Sequence, residues 1–88
     1  MINVYIPSPL RPFAGEQTEI LIEGGTVGEI LENFKTRFPE AAVRFFSPRT
    51  ARYLNLYLND EDIRVLDGMD TLVCDGDKLA IVFAVAGG

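Results

Sequence analysis

The residues of this sequence best suited to chemistry are its last two. The stretch Lys78-Leu79-Ala80-Ile81-Val82-Phe83-Ala84-Val85-Ala86-Gly87-Gly88 is an apolar, β-branched run that ends in two glycines. Glycine has no Cβ, so Gly87 and Gly88 take backbone angles closed to other residues and add no side-chain bulk. With Gly88 as the chain end, its carboxylate is free. A tail of this kind can enter a slot too narrow for anything but backbone, as an enzyme needs when it brings a carboxylate up to the α-phosphate of ATP. A carboxylate is a poor electrophile until its oxygen becomes a good leaving group. Forming an acyl phosphate supplies one and splits a hard step into two easier ones. The bland alternative is a frayed terminus; the strongly apolar run directly before the glycines argues against it.

Other candidates are weaker. Histidine is absent, which removes the commonest general base and metal ligand and argues against a self-contained hydrolase or metalloenzyme. Cys74 has no basic neighbour in sequence, and Asp75 discourages a thiolate, so a buried or incidental thiol is expected rather than a sulfur relay. Asp60, Glu61 and Asp62 lack the remaining ligand positions and the glycine of a calcium loop, and read as a solvated turn. Tyr5, Tyr53 and Tyr57 are expected on an outward sheet face. There they either meet a partner, as interface aromatics do, or cover their cross-strand neighbours. Ala84, Val85 and Ala86 either lie in a partner's channel or finish the last strand. An extended tail of five residues spans about 16 Å.

The elements that must hold this tail are legible along the chain. Ile2 to Ile6 alternates, with Ile2, Val4 and Ile6 on one face. Pro7, Pro9, Pro12 and Gly15 mark a long loop. Gln17 to Glu23 alternates again, with Thr18, Ile20 and Ile22 on one side, which predicts an antiparallel hairpin. Thr26 followed by Glu29 forms a capping box. Val27, Ile30, Leu31, Phe34 and Phe38 then recur at helical spacing, and Pro39 ends that helix. Residues 41–46 suggest a second, short helix, and Phe34, Phe38, Phe45 and Phe46 are expected in the core. Tyr53 to Asn59 alternates cleanly, with Leu54, Leu56 and Leu58 on one face. A turn at residues 59–62, a short return strand at Ile63–Leu66, turns at Asp67-Gly68 and Asp75-Gly76-Asp77, and the final strand complete the order. A hairpin, a crossing helix and further strands make an α+β plan with a mixed sheet and one main helix on one face. The first and last strands should be central neighbours. This is the β-grasp, or ubiquitin-like, arrangement, expected over residues 1–83 with a flexible tail at 84–88.

Composition sets the outer bounds. Eighty-eight residues with 48% apolar content make one small domain. The net charge of −5 argues against nucleic acid and suits a partner with a basic docking surface. One cysteine allows no internal disulfide and fits a reducing, cytoplasmic compartment. No signal pattern is visible, and no apolar run approaches a membrane span of roughly 20 residues.

A small β-grasp chain ending in an apolar strand plus Gly-Gly resembles the ThiS/MoaD sulfur-carrier family. The ends Phe83-Ala84-Val85-Ala86-Gly87-Gly88 and the segment Leu56-Tyr57-Leu58-Asn59-Asp60-Glu61-Asp62-Ile63-Arg64 are similar to one branch, the CysO-type carrier of cysteine biosynthesis. Ile6-Pro7 and Leu10-Arg11-Pro12 also fit it. The resemblance implies that the chain is not itself an enzyme and holds no cofactor. An E1-like adenylyltransferase would adenylate Gly88 with ATP, and sulfur would displace AMP to give a Gly88 thiocarboxylate. A PLP-dependent cysteine synthase would then use that sulfur on an aminoacrylate derived from O-phosphoserine. An acyl shift would follow, and a zinc metallopeptidase would release the product. In this scheme Gly88 is the modified residue, and Ala84, Val85, Ala86 and Gly87 occupy the partner's channel. Carriers for molybdopterin, thiamine or another thio-metabolite share the tail. A ubiquitin-like modifier conjugated through Gly88 and a β-grasp binding module with an incidental tail are further alternatives.

Overall fold

The structure, a computed structural model, describes residues 1–83. The expectations for Ala84, Val85, Ala86, Gly87 and Gly88 lie outside the described residues. Five strands form one sheet in the order β2-β1-β5-β3-β4. These are β1 (Ile2–Tyr5), β2 (Glu19–Ile22), β3 (Leu54–Leu58), β4 (Glu61–Asp62) and β5 (Lys78–Phe83). β1 and β5 are parallel central neighbours, and the other pairings are antiparallel, as a mixed β-grasp sheet requires.

Alternation decides which side of the sheet is covered. Ile2 and Val4 of β1, Ile20 and Ile22 of β2, Leu56 and Leu58 of β3, and Leu79 and Ile81 of β5 are buried together. Against them packs α1 (Val27–Arg37), which buries Val27, Ile30, Leu31 and Phe34. Phe34 is fully buried, a contribution of about 1.5–3 kcal/mol from its side chain alone. Thr26 caps this helix, its Oγ1 accepting from the Glu29 amide at 3.1 Å. Glu29 reaches back to the Gly25 amide at 2.7 Å, one residue before the cap amide that a standard capping box engages. Gly28 packs tightly: a Cβ there would sit 3.1 Å from the Met69 carbonyl oxygen, in the 3-10 turn Gly68–Asp70, which would have to shift by a few tenths of an ångström. The second helix, α2 (Pro39–Phe45), buries Ala41. Phe38, Phe45 and Phe46 pack half-buried on the core rather than inside it.

The long loop between β1 and β2 is present, and three other local expectations are corrected. The loop after β1 is a 3-10 turn, Ser8–Phe13, that buries Leu10, because the prolines supply the φ such a turn needs. Thr18 is exposed and precedes β2. β3 begins at Leu54, since Ala51–Tyr53 coils into a 3-10 turn. The return strand falls at Glu61–Asp62 and not at Ile63–Leu66. Asn59 and Asp60 both have positive φ, the geometry of a two-residue hairpin turn, so pairing starts at once with Leu58 opposite Glu61. Asp62 then accepts from the Arg64 amide at 2.9 Å and winds Ile63–Val65 into a 3-10 turn, with Ile63 in the core.

Candidate functional site

The candidate site is the end of β5, the last described strand, which Gly87 and Gly88 follow in sequence. β5 is held on both sides at its start, where Asn3, Val4 and Tyr5 of β1 lie opposite Lys78, Leu79 and Ala80. That register stops at Tyr5, and from Ile81 to Phe83 the strand is registered with β3 alone. Phe83, opposite Leu54, shares the core-facing side of β5 with Leu79 and Ile81. Its ring meets Phe45 edge-on at 5.6 Å and Tyr53 at 6.1 Å. Aromatic packing therefore anchors Phe83, the last described residue.

Among the described residues, no helix packs on the opposite face of the sheet. Across it, Tyr5, Ala80 and Tyr57 are aligned in one row, with small Ala80 between two tyrosines. Val82 and Leu21 are exposed on the same side by strand alternation. The Lys78 ammonium lies 5.8 Å from the Tyr5 ring centre. The structure thus brings Tyr5 and Tyr57 together on the open face but separates Tyr53 from them. Because Tyr53 belongs to the 3-10 turn, its ring turns to Phe83 on the other side. There the Arg52 guanidinium lies 5.0 Å from the ring centre and donates to the Tyr53 hydroxyl at 2.9 Å.

Cys74 is an exposed thiol, so of the two alternatives, buried or incidental, the first is excluded. It sits in the turn before β5, where its amide donates to Asp77 Oδ2 at 2.8 Å. The acidic turn is structural: Asp62 pairs with Arg64 at 2.6 Å, and this guanidinium holds the Asp62 carboxyl below its ordinary range. Among the described residues, no group of three His, Cys, Asp or Glu side chains could hold a metal ion. Among the described residues, no helix is long and apolar enough to cross a membrane. Arg44, Arg49 and Arg52, which line a cleft beside Tyr53, were not singled out by sequence reasoning. The signal was there: no Asp or Glu occurs between Ala41 and Asn59.

Comparison with known proteins agrees with this architecture along its whole length. The model of the ThiS family matches residues 4–88. The sulfur carrier protein CysO of Mycobacterium tuberculosis is 35% identical over 91 aligned residues, which cover 99% of this chain and 98% of that protein. Among solved structures, a chain of the BexX/CysO complex of Amycolatopsis orientalis matches with a TM-score of 0.86 and 37% identity, covering 100% of both chains. The small archaeal modifier protein 1 of Methanosarcina acetivorans matches with a TM-score of 0.82 and 27% identity, over 99% of this chain and 95% of that one. With its β-grasp sheet, its anchored last strand and a family match that runs through Gly88, the chain belongs to the ThiS family.

Proposed function

We propose that this chain is a sulfur carrier of cysteine biosynthesis, a substrate for other enzymes rather than an enzyme itself. The observation that carries the reading is the full-length 35% identity with CysO sulfur carriers, in a chain that ends in Gly87-Gly88. In the proposed sequence, a Gly88 carboxylate oxygen attacks the α-phosphate of ATP on an E1-like adenylyltransferase and releases pyrophosphate. A sulfur nucleophile then attacks the acyl carbon and displaces AMP, leaving a Gly88 thiocarboxylate. A PLP-dependent synthase takes up that sulfur with O-phosphoserine as carbon source, and a metallopeptidase frees the cysteine formed on Gly88.

The carrier contributes position. Phe83, packed on Phe45 and Tyr53, fixes where the tail starts. Gly87 and Gly88 pass a narrow channel, with Ala84, Val85 and Ala86 inside its mouth. The folded surface selects the receiving enzyme, and attachment keeps the reactive sulfur from diffusing. Tyr5 and Tyr57, on the uncovered face, are the aromatic residues placed for such docking, while Tyr53 supports the exit.

The test is intact-mass spectrometry of the chain isolated from cells that hold its partner enzymes. The expected product is heavier by the mass difference between sulfur and oxygen, and deletion of Gly87-Gly88 removes it. A second reading, a protein modifier, is favoured by the likeness to small archaeal modifier protein 1. Isopeptide adducts between Gly88 and lysines, without thiocarboxylate, would select it.

A further inference from the structure

The acidic balance of the chain is broken in one place. Arg44, Arg49 and Arg52 lie in a stretch without acids, while the other five cations share the rest of the chain with all thirteen. The fold gathers the three around one open cleft, with Arg44 from the end of α2 and the others from the turns that lead into β3. All three are exposed, and among the described residues none has an ion-pair partner. Arg44 lies 4.6 Å from the Phe13 ring centre and Arg52 lies 5.0 Å from that of Tyr53. Stacking restrains a long side chain without neutralising it.

The position of the cleft gives the cluster a direction. Tyr53 lines it and also touches Phe83, so the cationic patch borders the end of β5. The other end of β5 is acidic. There Asp77 pairs with Asn59, next to Asp60, and Asp75 of the preceding turn pairs with the Met1 ammonium; Asp60, Glu61, Asp75 and Asp77 still outnumber Lys78 and that ammonium. Charge therefore runs along the last strand, from negative at its start to positive where the tail departs.

We infer that Arg44, Arg49 and Arg52 form a docking surface for a carboxylate-lined patch at the mouth of the channel that receives the tail. That the owner of this patch is the enzyme acting on Gly88 rests on the carrier reading above. A guanidinium fork pairs two N–H groups with a carboxylate, and three forks around a cleft suit a cluster of Asp and Glu. An acidic mouth attracts the cationic end and repels the acidic end, so encounters arrive tail foremost. An extended nucleic acid would instead meet the carboxylates of the remaining surface.

Two measurements on the full chain test this. In the first, hexaglutamate is titrated into the labelled protein, with guanidinium resonances read by NMR. Shifts at Arg44, Arg49 and Arg52 that vanish at high salt are expected. No shift there, or tighter binding of pyrophosphate than of the peptide, overturns the assignment. In the second, adenylation by the E1-like enzyme is followed against carrier concentration. For R44E/R49E/R52E, KM should rise about tenfold with little change in kcat, and added salt should narrow the gap. R49E leaves both aromatic stacks intact and should raise KM about threefold, which separates charge from packing. An unchanged KM in both variants overturns the inference. A parent chain that is never adenylated, yet binds the peptide, overturns the carrier reading and leaves the acidic-patch assignment standing.

Discussion

Phe45 and Phe83 meet edge to face, ring centres 5.6 Å apart and planes at 90°. This contact joins the short second helix to Phe83, the last described residue of β5. Phe45→Ala should lower stability by about 1–3 kcal/mol, less than for a fully buried ring because Phe45 is half-buried. Urea unfolding reads that loss. If the contact also fixes the tail's departure, KM for adenylation should rise in conditions where the variant is fully folded.

Gly88 should tolerate neither removal nor extension. A chain lacking Gly87-Gly88, or one with a residue added after Gly88, should keep the parent's unfolding midpoint, since the buried core is built from residues up to Ile81. Neither should yield AMP or a thiocarboxylate with the activating enzyme. Intact-mass spectrometry checks the product, and circular dichroism checks the fold. An extended chain that still gains sulfur on an untrimmed C-terminus would contradict the role given to Gly88.

The sheet was legible because burial enforces alternation. Ile2 with Val4, Leu56 with Leu58 and Leu79 with Ile81 all face the core as their spacing requires. Thr26 marked the start of α1 through a side chain that acts within its own turn. What was hidden depends on contacts distant in sequence or on turn geometry. Tyr53 continues the alternating pattern of β3, yet the 3-10 turn at Ala51–Tyr53 carries its ring to Phe83. Ile63 and Val65 read as a strand, but Asp62 captures the Arg64 amide and ends pairing. The tail was the clearest chemical signal because glycine at a chain end needs no tertiary context to be read.

The turn between β3 and β4 offers a stabilising change. Asn59 and Asp60 have φ of 49° and 72°, a conformation in which a non-glycine residue is strained. Asn59 is committed, because its side chain accepts from the Lys78 amide at 3.0 Å and donates to Asp77 at 3.1 Å. Asp60 is exposed and makes no such bond among the described residues. Asn-Gly is the preferred pair for this turn, so Asp60→Gly should raise stability by about 0.5–1 kcal/mol. Thermal and urea unfolding both measure the gain, and a loss would show that the Asp60 side chain has a role of its own.

Acid should weaken the same corner of the molecule through Asp62. Its carboxylate accepts from Arg64 at 2.6 Å and from the Arg64 amide at 2.9 Å, and the side-chain bond is the leading cause of its lowered pKa. A carboxyl whose folded pKa lies below its unfolded value binds fewer protons when folded. Its contribution is then complete above the unfolded pKa of about 3.9 and is lost as pH falls through the folded value. Arg64→Met removes the main cause, so the Asp62 titration followed by carboxyl NMR should move up toward the ordinary range. Asp75, held low by the Met1 ammonium at the other side of the sheet, serves as the control and should not move. Asp75 is exposed, and Asp62 is half-buried beside an exposed Arg64, so the effect on global stability should be small and further reduced by salt. A strong dependence at high salt would mean that acid acts on the fold through some other carboxyl.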